Sequence, residues 1–200
     1  MENHTNPDSG LDVSTGEIVN MYTYGIIDPF KESHSHYALI ELTSTRREDN
    51  LRREIEDLLG QALTDGTISD AVIAESDSQS KQLWKIREEI PAAQSKEGGS
   101  IKHDIAVPVS KTVEFIKKAS QLVTAEMPDI RICAFGHIGD GNIHFNLTQP
   151  KGMDKNKFVQ KKEKFSIIVH DLVVSMDGSI SAEHGIGLSR RDELMRYASK

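Results

Sequence analysis

A turn between two alternating runs is the sequence feature that most restricts the fold of this chain. The stretch AFGHIGDGNIHFNLTQP, residues 134–150, places Asp140-Gly141 between two segments in which apolar and polar residues alternate. Asp-Gly is among the preferred pairs for a two-residue type I′ turn, and alternation is typical of strands with one buried face. The stretch therefore predicts a β-hairpin.

The turn also predicts which residues face each other. With Asp140-Gly141 as the turn, His137 lies opposite His144 on one face, with Cβ atoms ~4.5–5.5 Å apart. The other face then carries the apolar residues Ile138, Ile143, Phe145 and Leu147. Two imidazoles at that separation can ligate one metal ion. The alternative interpretation is an exposed cross-strand pair of histidines that binds nothing.

A second polar cluster lies in GSISAEHGIG, residues 178–187. Glu183 and His184 end a predicted short strand and precede a glycine loop. If this strand joins the sheet of the hairpin, Glu183 completes a His, His, Glu set with an open coordination position, as in catalytic metal sites. His184 would then stand beside the metal as an acid or base near neutral pH. A solvated loop is the alternative for both residues.

The order of predicted elements indicates the fold class. From Ser100 onward the pattern predicts strand, helix, two hairpin strands, helix and a short last strand, which is the split βαβ or ferredoxin-like order. Residues 37–95 resemble an incomplete copy, with strands at 37–44 and 70–74 and a helix that Pro91 should end or kink. We expect an α+β domain of ferredoxin-like split βαβ units, an antiparallel sheet with helices on one face.

Composition limits the domain boundaries and the partners. Residues 1–35 are polar and lack a period, so we expect a poorly ordered segment followed by one domain over 36–200. The net charge of -7 argues against nucleic acid or an anionic membrane as partner. We expect no membrane span and no secretory leader. The single cysteine, Cys133, favours a reducing, cytoplasmic setting.

Three motifs together resemble a known family. GHIGDGNIHFN, SISAEHGIG and LWKIREEIPAAQSKEGGSIKHDIAVPVS are similar to the C-terminal domain of FAD-linked oxidases of the vanillyl-alcohol oxidase type. The resemblance covers roughly residues 24–197. It is strongest to the D-2-hydroxyacid dehydrogenases, which include D-lactate dehydrogenase, D-2-hydroxyglutarate dehydrogenase and the glycolate oxidase flavoprotein subunit.

The resemblance implies roles for single residues around a metal. His137, His144 and Glu183 correspond to the ligands of a divalent ion, zinc or manganese. His184 corresponds to the base that takes the hydroxyl proton of a small 2-hydroxy acid. The metal would lower the pKa of that hydroxyl, and the hydride would pass to FAD.

The resemblance also implies a substrate-binding set and missing parts. Arg87 and Lys102 correspond to residues that bind the substrate carboxylate, and Asn146 to a further substrate contact. Pro91 departs from a threonine found in some D-2-hydroxyglutarate enzymes, which leaves the hydroxy acid open. We expect the FAD-binding domain to be absent from this chain and the C-terminal domain to be incomplete at its C-terminus.

Several hypotheses about the partners and the function follow. We expect the chain to be inactive alone and to use a separate FAD-binding domain or subunit. We also expect a homo-oligomer that forms through the face that would otherwise cover the flavin. The alternative is a non-enzymatic metal-binding or interaction module. A stand-alone metal hydrolase is a third possibility, because the same ligand types suit water activation.

Overall fold

The structure, a computed structural model, describes residues 26–45, 50–183, 185 and 195–197. Its elements in chain order are α1 (Leu51–Thr64), α2 (Asp77–Lys96), β1 (Ser100–Ile101), β2 (Asp104–Ala106), α3 (Thr112–Glu126), β3 (Arg131–His137), β4 (Asn142–Thr148), α4 (Lys155–Val159) and α5 (Lys162–Ser175). A 3₁₀ turn over Val109–Lys111 precedes α3.

The central strand of the antiparallel sheet is β4. It pairs with β3 on one side and with both β1 and β2 on the other. The pairs Ser100 with Thr148 and Asp104 with His144 belong to one register, and Phe145 N–H donates to His103 O at 3.0 Å between them. The two short strands therefore act as one edge of the sheet.

One face of the sheet forms the hydrophobic core. Phe145 and Leu147 of β4 are fully buried there. They pack against the inner sides of α3 and α5, whose buried residues include Phe115, Val123, Phe165, Val169 and Val173. The rings of Phe115 and Phe145 meet edge to face at 5.7 Å. The alternation of apolar and polar residues in the hairpin sequence predicts this buried face and a polar face opposite it.

The opposite face of the sheet is covered by polar contacts from α2. Gln94 is buried, donates from Nε2 to Thr148 Oγ1 at 3.0 Å and accepts from Asn146 Nδ2 at 3.0 Å. We expected Pro91 to end or kink the helix. Pro91 does not end it, because α2 continues to Lys96. Anchoring of the last turn by Gln94 offsets the hydrogen bond that Pro91 cannot donate.

The α+β class and the antiparallel sheet are confirmed. The strands predicted at 37–44 and 70–74 are wrong, because neither range is a strand in the structure. The physical reason is that neither segment pairs with a sheet edge among the described residues, and a strand without such pairing is not stable in water. The last predicted strand is reduced to one bridge between Ala106 and Ser179. No helix among the described residues is long and apolar enough to cross a membrane.

Candidate metal and substrate site

The hairpin turn contains four residues rather than two. The loop runs over 138–141, closed by the pair His137 with Asn142. A type I′ turn needs positive φ at both central residues. Gly141 has φ +74°, but Asp140 is not among the described non-glycine residues with positive φ. Asp140 instead accepts a hydrogen bond from Asn142 N–H through Oδ1 at 3.0 Å, so the predicted turn is wrong.

Gly141 is required at the end of this loop for two reasons. Its φ of +74° lies in the left-handed region that disfavours side chains. A Cβ at this position would also lie 1.9 Å from the carbonyl oxygen of Val107. The loop therefore seats against the chain that follows β2, where Val107 N–H donates to Gly141 O at 3.0 Å.

The longer loop shifts the register of the hairpin by two residues. His144 lies opposite Phe135 instead of His137, and Asn146 lies opposite Cys133. The prediction of directly opposed histidines is therefore wrong. Because the shift is an even number of residues, every strand residue keeps its predicted face. Ile138 is the exception, since it lies in the loop and is 69 % exposed.

We call the face of the hairpin that carries His137, His144 and Asn146 the site face. Glu183 joins the two histidines on this face. His137 Nδ1 lies 3.4 Å from Glu183 Oε1, and His144 Nε2 lies 3.9 Å from Glu183 Oε2. Glu183 also accepts a hydrogen bond from Asn142 Nδ2 at 2.5 Å. The bridge between Ala106 and Ser179 brings this distant segment to the edge of the sheet. Each predicted histidine ligand thus lies beside Glu183, whereas the group whose ligand atoms all lie within 4.8 Å of one another contains Asp104 and not His137.

Two further residues of the site face were missed by the sequence reasoning. Asp104 is buried, and Asp104, His144 and Glu183 each offer a ligand atom within 4.8 Å of the others. Asn142 is buried as well, and its Oδ1 has no hydrogen-bond partner among the described residues. The alternation of SIKHDIAVPV places Lys102 and Asp104 on one face, which was the available signal for Asp104.

Burial favours the neutral form of the His144 imidazole. The pKa of His144 lies below its usual value mainly because burial penalises the charged ring, with smaller opposing contributions from Asp104 and Glu183. Arg87 and His137 lower this pKa further. A metal ligand must be a neutral imidazole. His144 is therefore ready to bind a cation with little competition from protons near neutral pH.

Arg87 lies above the same face, on the sheet side of α2. Its guanidinium carbon is 4.7 Å from the ring centroid of Phe135, and the Phe135 ring is 5.0 Å from the ring of His144. Burial lowers the pKa of Arg87, an effect that Glu183 partly opposes. Arginine nevertheless stays a cation in proteins. The arrangement places one fixed positive charge beside the cluster of His137, His144 and Glu183.

The remaining predicted site residues differ in their placement. Lys102 is exposed and, in the common register of β1 and β2, stands level with Asn146 on the site face. Asn146 is buried, and its Nδ2 is engaged by Gln94. His184 lies outside the described residues.

The donor set suits a divalent cation. Two imidazoles and a carboxylate are the ligand types of open, catalytic zinc sites, and the same set accepts manganese. The site face supplies this set from two strands and a third segment, with the oxygen of Asn142 buried beside it. His137, His144 and Glu183 would hold the ion, and the ion would supply Lewis acidity toward a coordinated hydroxyl.

Fold and site together define a small α+β domain that carries a candidate metal centre on one face of its sheet. Residues 5–200 match the family described as FAD linked oxidases, C-terminal domain. Because this match spans nearly the whole chain, the chain belongs to that family.

Three named relatives illustrate the match. A D-2-hydroxyglutarate dehydrogenase of Stutzerimonas stutzeri is 38 % identical over 168 residues, which is 83 % of this chain and 35 % of the relative. The mitochondrial D-2-hydroxyglutarate dehydrogenase of Arabidopsis thaliana is 32 % identical, covering 92 % of this chain and 31 % of its own length. A D-2-hydroxyglutarate–pyruvate transhydrogenase of Saccharomyces cerevisiae is 29 % identical over 83 % of this chain and 34 % of its own length. The chain thus spans about a third of the relatives it matches.

Proposed function

We propose that this chain is the substrate- and metal-binding part of an FAD-dependent D-2-hydroxyacid dehydrogenase, which oxidises a 2-hydroxy acid to a 2-oxo acid. The observation that carries the proposal is the position of Glu183 beside both His137 and His144. Arg87 lies over Phe135 on the same face. The names of the relatives support D-2-hydroxyglutarate as one substrate. D-lactate and glycolate stay within the proposal because they share its chemistry.

Different residues of the site bind different groups of the substrate. A 2-hydroxy acid presents a carboxylate next to a hydroxyl. In our proposal the guanidinium of Arg87 and the ammonium of Lys102 bind the carboxylate, the former in a bidentate fork. His137, His144 and Glu183 hold a zinc or manganese ion against the hydroxyl, and Asn146 contacts the substrate after exchanging its bond to Gln94.

Proton and hydride leave the substrate by separate routes. We assign the hydroxyl proton to His184, because histidine is the most common general base near neutral pH. FAD, when bound by a domain or subunit outside this chain, supplies the hydride acceptor. Without that partner the chain binds the hydroxy acid but does not turn it over.

Metal and ligand titrations test the proposal on the chain as it stands. We expect one zinc or manganese ion per chain, with weaker binding in His137→Ala and unchanged binding in His36→Ala, an exposed histidine outside the hairpin. The metal-loaded chain should then bind D-2-hydroxyglutarate or D-lactate more tightly than the L enantiomer, and Arg87→Ala should abolish this preference.

The outcomes separate the competing functions. Metal binding without any hydroxy acid binding would support the non-enzymatic metal module instead. Equal metal affinity in the parent chain and in His137→Ala would remove His137 from the site. Dye reduction by a hydroxy acid after addition of an FAD-loaded flavin domain would support the complete dehydrogenase.

We further propose that the chain self-associates through its first part. Helix α1 buries none of its residues, and Leu58 is 60 % exposed. Tyr37, Ile40 and Leu42 expose 50, 54 and 43 % of their surface. Exposed large apolar side chains favour association. Light scattering should show a dimer or larger species that Leu58→Lys weakens and Arg53→Lys leaves intact, and a strict monomer at high concentration would contradict it.

The compartment stays a prediction. The single thiol of Cys133 favours a cytoplasmic setting, whereas the Arabidopsis relative is named mitochondrial. Fractionation of cells that express the natural gene would decide between the two compartments.

A further inference from the structure

Asp104 contacts both the strand histidine and the glutamate segment of the site. Its Oδ2 accepts a hydrogen bond from the backbone N–H of Glu183 at 3.0 Å. Its Oδ1 lies 3.7 Å from His144 Nδ1. Its backbone oxygen also accepts from Ala182 N–H at 3.2 Å. Asp104 is thus the residue of β2 that touches two of the three proposed ligands.

The burial of the Asp104 carboxylate is not explained by packing in the hydrophobic core. Asp104 has only 5 % of its surface exposed, and a buried carboxylate costs free energy unless polar groups surround it. The segment it holds is already attached to the sheet by two hydrogen bonds between Ala106 and Ser179, at 2.9 and 2.7 Å. Holding the backbone therefore does not by itself explain the side chain.

The chemistry of imidazole supplies the explanation. In neutral histidine one ring nitrogen carries the hydrogen and the other carries the lone pair that binds a metal. A carboxylate beside Nδ1 favours the N–H on that side, because an N–H bond pointing at negative charge is attractive and a lone pair is repelled. The lone pair of His144 then lies at Nε2, which faces Glu183 Oε2 at 3.9 Å.

The same geometry argues against Asp104 as a direct ligand. The two ring nitrogens of an imidazole point in diverging directions, so an ion bound at His144 Nε2 lies on the side away from Nδ1. Asp104 Oδ1 faces Nδ1, and Asp104 Oδ2 is occupied by the N–H of Glu183. Carboxylates in this outer position orient metal-binding histidines in many proteins.

We propose that Asp104 is a positioning residue: it sets the tautomer and the ring orientation of His144 and fixes the backbone of Glu183. The inference rests on the proposed metal site. Its effect on metal affinity should follow the usual loss for an outer-shell carboxylate, about 10–100-fold. It adds a residue to the site without adding a ligand.

Two measurements on the isolated chain test this role. In the first, zinc affinity is measured by chelator competition for the parent chain, Asp104→Asn and Asp129→Asn, the last being an exposed aspartate before β3. We expect a loss of about 10–100-fold for Asp104→Asn and none for Asp129→Asn. A loss as complete as that of His144→Ala would make Asp104 a ligand, and an unchanged affinity would remove its role; either result overturns the proposal.

In the second measurement, long-range ¹⁵N–¹H NMR reads the tautomer of His144 in the metal-free parent chain. We expect the hydrogen on Nδ1, and a mixed or reversed population in Asp104→Asn. A hydrogen on Nε2 in the parent chain would refute the proposal even if Asp104→Asn did not fold. Because this readout needs no metal, a parent chain that binds no zinc would count against the proposed function while the NMR result still judges Asp104.

Discussion

The two faces of the β3–β4 hairpin use the same two strands for opposite purposes. On the core face, Phe145 and Leu147 are fully buried against α3 and α5. On the site face, the residues that alternate with them include His144 and Asn146, which meet charged and amide groups. One face removes apolar surface from water, and the other holds polar groups in fixed positions. Stability and chemistry are therefore separable by mutation along a single strand.

The largest expected difference between the faces concerns their phenylalanines. Phe145→Ala should lower the free energy of unfolding by about 3–5 kcal/mol, because it empties a fully buried position. Phe135→Ala is the matched change on the site face, where the ring is only half-buried, and should cost clearly less. Urea unfolding of both variants provides the comparison. Equal losses would mean that the two faces do not differ in packing.

A smaller loss of stability is expected where the site face is attached to α2. Gln94→Ala leaves Asn146 Nδ2 and Thr148 Oγ1 without their buried partner, at a cost of about 1–3 kcal/mol. Ser95→Ala is the control, because its hydroxyl is exposed and donates to Ala92 O within the same helix. Thermal melts of the two variants that coincide would show that this polar contact does not hold the helix.

The next effect depends on pH and comes from His144. Its pKa is lowered in the folded chain mainly by burial, so the unfolded chain takes up a proton first as the pH falls below about 6.5. The contribution of neutral His144 to the free energy of unfolding is complete above that pH. It is lost as the pH falls toward the lowered pKa of the folded chain. We expect the stability of the parent chain relative to His144→Gln to decline over this window. A difference that stays constant from pH 7.5 to 5 would be inconsistent with a buried neutral imidazole.

The smallest effect on stability is expected for Arg87. Its guanidinium stacks on Phe135 at a partly exposed position, a contact that contributes about 0.5–1 kcal/mol. Arg87→Ala should therefore melt close to the parent chain while losing hydroxy acid binding. Lys81→Ala, an exposed residue earlier in α2, should change neither property. A large drop in stability would assign Arg87 to the framework.

The sequence predicted the faces of the hairpin correctly and its register incorrectly. Alternation alone assigns His137 and His144 to one face, and a shift of two residues leaves that assignment intact. The turn length depended on the φ of Asp140, which the Asp-Gly pair does not determine. Alternation places Asp104 on the same face as Lys102, but the position of Asp104 beside His144 arises from the pairing of β2 with β4, a long-range contact that local alternation does not predict.

The first part of the chain shows the opposite kind of failure. YALIELTS has the composition of a buried strand, yet its residues are exposed and form no strand. Strand propensity acts only where a sheet edge is available. The family resemblance carried by the hairpin and Glu183 motifs is confirmed by the match over residues 5–200.

Binding of a divalent metal to the site face is the measurement that tests this account most directly. Isothermal titration with zinc and with manganese should give one site per chain. His144→Ala and Glu183→Gln should each weaken the binding beyond the roughly 10–100-fold typical of outer-shell groups, with far-ultraviolet circular dichroism unchanged. Affinities in both variants equal to that of the parent chain would contradict the claim that this face is a metal centre.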